Sequence, residues 1–188
     1  MHTPTRRITL TALAVASTAA MAVGCSTSNT TADDRDDRDT GDIRTVAVAS
    51  ENTVRQDRLS AQAAATAAEA ALASCAADDL GSVSVSVVDR DGQLQAFTRG
   101  DGAAEHTVEA SRLKAYTAAA FGADTGDLVE RADDNDLHRL PGTLFMPGGV
   151  SVKVDDSSIA GIGVGGAPSG MDDQSCAAAG LEAIADAL

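Results

Sequence analysis

The sequence predicts an α/β (α+β) domain: an antiparallel sheet of two or more hairpins flanked by helices, in the order α-β-β-α-α-β-β-α. Three observations carry that expectation. Val83-Ser84-Val85-Ser86-Val87 alternates strictly, the period-two signature of a half-buried strand, and leads into Asp89-Arg90-Asp91-Gly92, a hairpin turn signal. A second pair of β-type segments, Val150 to Val154 and Ile159 to Gly165, is divided by Asp155-Asp156-Ser157-Ser158. Alanine-rich stretches of high helix propensity accompany both pairs.

The elements follow in order. Ser60 to Ala77 reads as a helix with Ser60 as N-cap; Leu59, Ala63, Ala67, Ala70 and Cys75 approximate its apolar face. Asp78-Asp79-Leu80-Gly81 ends it. Gln93 to Thr98 is the strand returning from the first hairpin, and Arg99-Gly100-Asp101-Gly102 is a Gly-rich loop. Thr107 to Phe121 reads as the second helix, capped by His106 or Thr107. Val108, Leu113, Tyr116, Ala120 and Phe121 supply its apolar mass, and Gly122 suits the left-handed position that closes it. A shorter helix runs from Thr125 to the region of Asp133, where Asp133-Asp134-Asn135-Asp136 breaks regular structure. Leu140-Pro141-Gly142-Thr143 and Pro147-Gly148-Gly149 are turn-rich. Gly161, Gly163 and Gly165 alternate within the fourth strand. Glycine weakens a strand, so this pattern predicts close approach of another backbone, a helix or a flat ligand. The final helix is expected from Asp172 to Ala187, with Asp172 or Asp173 as N-cap.

Composition narrows the function classes. A length of 188 residues fits one domain. Acidic residues outnumber basic ones 28 to 14, a net charge of -14, which argues against nucleic-acid binding through a general electrostatic footprint. The aromatic residues are Phe97, Tyr116, Phe121 and Phe145, so the core rests on Val, Leu, Ile and much Ala. Such small side chains each bury little area at about 25 cal/mol per Å². Oligomerisation or a disulfide is the expected support.

Residues 1–25 read as an export signal: Arg6 and Arg7, then the apolar run Ile8 to Ala16, too short for a membrane span. It ends in Ala22-Val23-Gly24-Cys25, which resembles a lipobox with Cys25 as the lipidated residue, although Ala stands where Leu is usual. A twin-arginine signal in Thr5-Arg6-Arg7-Ile8-Thr9-Leu10, and a plain cleaved signal that leaves Cys25 free, are the alternatives. Residues 26–58 carry Asp33-Asp34-Arg35-Asp36-Asp37-Arg38-Asp39 and almost nothing apolar before Ile43, the composition of a disordered acidic tether. Val46-Ala47-Val48 reads as linker rather than edge strand. The expected domain is residues 59–188. Localisation is then extracytoplasmic, lipid-anchored to the outer face of the cell membrane or secreted. In that oxidising setting Cys75 and Cys176 are either a disulfide or two buried thiols.

Several motifs resemble one family. Val87-Val88-Asp89-Arg90-Asp91-Gly92 resembles its first hairpin, and Arg99-Gly100-Asp101-Gly102-Ala103 its Arg-x-Asp-Gly-Ala loop. Lys114-Ala115-Tyr116-Thr117-Ala118 resembles its central helix motif. Pro141-Gly142-Thr143-Leu144-Phe145, Pro147-Gly148-Gly149, the glycine-rich stretch Ala160 to Gly170 and Asp172-Asp173-Gln174 complete the set. Together, in order from Leu59 onward, they resemble the GlcG/HbpS-like haem-binding family, nearest to its secreted actinobacterial HbpS type. The resemblance implies a compact α/β sandwich, homo-oligomers, haem as cofactor and, in some members, a membrane sensor kinase as partner or a link to haem breakdown.

Haem asks for an apolar slot, an axial contact to iron and cations for its propionates. The axial candidates are His106, Thr107 and Thr143, with His138, Met146 and Tyr116 behind them; Arg99, Lys114 and Arg112 are the propionate candidates. Each has a plainer reading: a cap for His106, a turn-stabilising hydroxyl for Thr143, a structural contact with an aspartate or backbone for Lys114. No paired-histidine metal signature, phosphate loop or nucleophile elbow is present, so no catalytic residue is assigned. The leading expectation is an extracytoplasmic haem-binding protein acting in haem capture, buffering or redox sensing. A non-haem structural or signalling partner of a membrane sensor, and an enzyme on haem or a small oxyacid, follow in that order.

Overall fold

The structure is a computed structural model that describes residues 46–185. The export signal, Cys25, most of the acidic tether and the expected end of the last helix lie outside the described residues. All regular elements belong to the unit that begins at Val48. They are α1 (Ala61–Ala77), β1 (Ser84–Asp89), β2 (Leu94–Arg99), α2 (Glu105–Phe121), α3 (Thr125–Asp134), β3 (Gly149–Val154), β4 (Ser157–Gly165) and α4 (Gly170–Glu182), with single 3-10 turns at Ser50–Asn52 and Leu137–Arg139. Val46-Ala47-Val48 is exposed and forms no strand. The four strands make one antiparallel sheet in the order β2-β1-β4-β3.

Two differently built faces cover that sheet. On one, α1 and α4 close over Val85, Val87, Val150, Val152, Ile162 and Val164, forming the main apolar core. The first helix is capped as expected, Ser60 Oγ accepting from the Ala63 N–H at 3.1 Å. Its buried face is Ala64, Ala67, Ala68, Ala71 and Cys75, which moves the expected stripe by about one position. Cys75 and Cys176 are joined by a disulfide, Cα atoms 5.4 Å apart, which ties α1 to α4 across 101 residues of chain.

The opposite face is made of hydroxyls and glycine. β1 is buried along its whole length rather than half-buried, because its serines face a helix instead of water. Ser84 Oγ and Thr107 Oγ1 share a hydrogen bond of 2.8 Å, as do Ser86 Oγ and Ser111 Oγ. Opposite these serines stand Gly165 and Gly163 of β4, with Gly161 opposite Val88. A side chain at Gly161 would collide with the Ala115 carbonyl, and one at Gly163 with the Ser111 carbonyl. The close approach predicted from the alternate glycines is therefore made by the backbone of α2.

α3 begins at Thr125 as expected, whereas α2 and α4 begin two residues early. α2 starts at Glu105 after Ala104, which makes no side-chain cap. His106 and Thr107 lie inside the first turn, where the Thr107 hydroxyl donates back to the Ala104 carbonyl at 2.6 Å. Gly122 ends α2 with φ 63°, as expected. α4 is capped by Ser169, whose Oγ accepts from the Met171 N–H at 3.2 Å, so Asp172 and Asp173 fall in its first turn. It stops at Glu182.

The two sheet edges differ. At the β3 edge the Gly149 N–H donates to Thr125 Oγ1 at 2.8 Å, and the Ser151 N–H to Asp124 Oδ1 at 3.1 Å. Side chains at the start of α3 thus take the place of a further strand. Burial raises the Asp124 carboxyl above its ordinary value of 3.8, against the opposing effect of the Ser151 N–H. β2 forms the other edge, with a bulge opposite Val87/Val88.

Two predictions follow from this packing. Gly163→Ala places a methyl against the Ser111 carbonyl, forces α2 off the sheet, and should lower unfolding free energy by about 1–3 kcal/mol in urea titration. Asp124 takes up its proton more readily folded than unfolded, so its contribution to stability falls as pH rises from about 3.8 through the raised value. Asp124→Asn keeps an oxygen to accept from Ser151 and should remove that fall, seen as the difference between the two proteins' melting-temperature profiles against pH.

Candidate functional site

The helix that rests on the glycine stripe also lines a cleft. One flank of α2 carries Arg112, Leu113 and Tyr116; the β1–β2 turn brings Asp91, Gly92 and Gln93, and the loop before β3 brings Gly142. These residues enclose a cleft of about 210 Å³. Local chemistry fixes its walls. Asp89 Oδ1 accepts from the N–H groups of Asp91 (3.0 Å) and Gln93 (2.9 Å), while Gly92 adopts φ 81°. The Tyr116 ring lies so close to Gly92 that a Cβ there would sit 3.0 Å from Tyr116 Cδ2. Turn and ring therefore hold each other in place. Arg112 is exposed, whereas Leu113 and Tyr116 are half-buried. The cleft thus pairs an apolar wall and a phenol with one cation.

The residues singled out from sequence scatter around this cleft. Thr107 is buried between α2 and the sheet, and both its hydrogen bonds are internal. Lys114 is likewise buried and engaged within the protein. Its side chain is 4% exposed and its Nζ lies 2.7 Å from Asp173 Oδ2, whose own side chain is 3% exposed. Asp173 Oδ1 also accepts from the Ala167 N–H at 3.0 Å. The structural contact foreseen for Lys114 is thus real, and its partner lies on α4. Arg99 is held by its own loop, its Nε donating to the Ala103 carbonyl at 3.0 Å and its Nη1 lying 3.3 Å from Glu105 Oε2. Thr143 Oγ1 donates to the Leu140 carbonyl at 2.8 Å, the turn-stabilising role, beside the Gly142 wall of the cleft. His106 is exposed in the first turn of α2. His138 is exposed, with Nε2 4.0 Å from Asp136 Oδ1.

Arg112 and Tyr116, secondary candidates in the sequence, are therefore the two that the fold brings together. Asp91, Gln93 and Gly142 carried no local signal as site residues, since each reads as a turn position. Among the described residues no group of three or more His, Cys, Asp or Glu side chains is placed to hold a metal ion. No helix among them is long and apolar enough to cross a membrane.

The profile of the family described as "Haem degrading protein HbpS-like" matches residues 59–182. The chain belongs to the HbpS-like family. Its structure is similar to that of HbpS, at 40% sequence identity and TM-score 0.70, over 73% of this chain and 97% of HbpS. It is similar also to a double mutant of Streptomyces reticuli HbpS, at 38% identity and TM-score 0.71, over 74% of this chain and 95% of that one. Two more distant structures share the fold at 24% identity. Klebsiella pneumoniae ORFY has TM-score 0.62 over 71% of this chain and 96% of its own. PduOC, solved as a haem complex, has TM-score 0.60 over 68% and 96%. No match is found among curated proteins. The α/β architecture, with helices on both faces of a four-stranded antiparallel sheet, is thus that of HbpS and of its more distant fold relatives.

Within this HbpS-like domain the Lys114–Asp173 pair links the centre of α2 to the start of α4. Lys114→Met leaves the Asp173 carboxylate buried without its cation and should cost about 3–5 kcal/mol by urea titration. Adding Asp173→Leu should recover part of that loss, because the second charge is gone.

Proposed function

We propose that this protein is an extracytoplasmic haem-binding protein that acts in haem capture, buffering or redox sensing. The observation that carries the reading is 40% identity to HbpS over nearly all of that protein, within a family described as haem-degrading. The haem complex of PduOC, on the same fold, agrees with it. Export by residues 1–25, a lipid on Cys25 at the outer face of the membrane, assembly into homo-oligomers and a membrane sensor kinase as partner belong to the same proposal.

The α2 cleft fits haem in part. At about 210 Å³ it lies below the roughly 300–1,000 Å³ of pockets that enclose a ligand, so it receives the margin of a flat molecule rather than the whole. Leu113 and the Tyr116 ring offer the apolar wall, Arg112 the cation for a propionate, and the Tyr116 phenol an oxygen donor. Bound haem would supply iron-centred redox chemistry. The protein's part is to hold the porphyrin edge and leave the rest accessible. That suits a carrier or sensor, which must release its ligand or expose it to an oxidant.

One observation favours the second reading, a haem-free signalling partner. Thr107, Lys114 and Arg99 all have internal partners. Hemin titration separates the two. The wild-type chain should shift and sharpen the Soret band with a defined stoichiometry, and an Arg112→Ala/Tyr116→Phe double variant should bind at least about tenfold more weakly. A spectrum identical to that of free hemin would leave the signalling-partner reading in its place.

A further inference from the structure

We infer that the segment leading into α1 is a processing site: an exported endopeptidase specific for arginine cuts the Arg55–Gln56 bond and frees the folded domain from its tether. The inference rests on the lipid-anchor reading above for what the cut achieves, but not for the cut itself.

The boundary between accessible and closed backbone is sharp. Residues 48–58 are all exposed, and Leu59, 4% exposed, is the first buried residue after them. Val54 is 96% exposed, so no apolar contact holds this stretch down. The backbone hydrogen bonds within it belong to the turn at Ser50–Asn52, where the Asn52 and Thr53 N–H groups donate to the Ala49 and Ser50 carbonyls. Thr53 is extended, with φ -117° and ψ 149°, and residues 53–58 have no regular structure. An enzyme that binds a peptide as an added strand needs such a stretch, extended and with its N–H and C=O groups free to pair. Residues 53–58 supply it on both sides of the Arg55–Gln56 bond.

Geometry sets this arginine apart from the other cations among the described residues. Arg58 is exposed too, but the bond after it leads straight into the domain. There the Leu59 carbonyl accepts from Gln95 Nε2 at 2.7 Å, and Ser60 caps the first turn of α1. Cutting at Arg58 would require that turn to open. Arg112, Lys114 and Arg131 lie within helices, and Lys153 within β3. Arg90 and Arg99 are held by backbone carbonyls of their own surroundings. Arg139 closes a 3-10 turn in which the Leu140 N–H is engaged by the Leu137 carbonyl at 2.9 Å.

Local charge agrees. Arg55 stands between Val54 and Gln56, whereas Arg35 and Arg38 each stand between two aspartates. An arginine-specific enzyme presents a carboxylate to its substrate's cation, and flanking aspartates repel it. Hydrolysis breaks the Arg55 C–N bond and joins a water oxygen to the Arg55 carbonyl carbon. Both protons of that water go to the Gln56 amine, leaving Arg55 as a carboxylate. The apolar core and the Cys75–Cys176 disulfide lie wholly after the cut, so the product keeps its fold.

Limited trypsin digestion of the purified full chain, read by intact mass and N-terminal sequencing, tests the site. The wild type should yield a resistant fragment beginning at Gln56, and Arg55→Gln should lose it in favour of a longer one, while Arg58→Gln changes nothing. A resistant fragment beginning at Leu59, or cutting after Arg139, would overturn the inference. In producing cells the culture supernatant should hold the Gln56 fragment from the wild type, and Arg55→Gln should stay with the membranes. A wild type that is not cut in cells, or a variant released as a fragment beginning at Thr45, would overturn the processing site. Wild type cut at Gln56 beside a variant that leaves the cell with its tether attached would uphold the cut and overturn the lipid anchor.

Discussion

The backbone of α2 rests directly on the glycine stripe of β4, and most of the molecule's organisation follows from that contact. Gly161 and Gly163 admit the Ala115 and Ser111 carbonyls to positions that a methyl group would occupy. So close a helix leaves no room for large apolar side chains between it and the sheet. What remains is filled by small hydroxyls, which hydrogen-bond across the gap: Ser84 with Thr107, Ser86 with Ser111, and Ser158 Oγ donating to the Ala119 carbonyl at 2.8 Å. A buried hydroxyl without a partner would be costly, so these pairs fix the rotation and axial position of α2 far more tightly than an oily contact would. The opposite face works differently. There, valines and isoleucines pack under α1 and α4, and the Cys75–Cys176 link closes a 101-residue loop worth about 4–5 kcal/mol in the chain-entropy view.

Polar side chains extend the same control to the β3 end of the sheet. Lys114 points from the sheet-facing side of α2 to Asp173 on α4, and Gln174 Oε1 accepts from the Gly126 N–H at 2.9 Å at the start of α3. Three helices from both faces of the sheet are joined here by hydrogen bonds rather than by apolar contact. Gly148 has φ 128°, and a side chain there would strike Lys114 Nζ. The Pro-Gly-Gly turn before β3 therefore makes the space that the buried lysine needs.

The order of elements was legible because each carried its own local signal: alternation in β1, turn residues between strands, Gly122 after α2. The alternate glycines even foretold a close neighbour. What misled was the chemistry of serine and lysine. The alternation of Ser84 and Ser86 with valine reads as a strand with one wet face, yet those hydroxyls meet Thr107 and Ser111 some twenty-five residues away. Lys114 reads as a cation free to meet a ligand, until Asp173, 59 residues on, comes within 2.7 Å. Neither partner is visible to a reading that weighs neighbours in sequence. The cleft was hidden for a related reason. It is assembled from a turn, a helix flank and a loop, and of its members only Arg112 and Tyr116 carry side chains that suggest a ligand.

These constraints shape the surface as well as the core. Clefts lie beside α1, lined by Leu59, Ala63, Val154 and Ile159, and beside the β3 edge, lined by Asp124, Asp127 and Ser151. The outer flank of α2 differs from both in joining a cation and a phenol, Arg112 and Tyr116. A helix pressed so hard against β4 and β1 leaves β2 uncovered on that side, because small hydroxyls and glycines draw it toward the centre of the sheet. The packing that fixes α2 is therefore the same packing that leaves its Arg112–Tyr116 flank open.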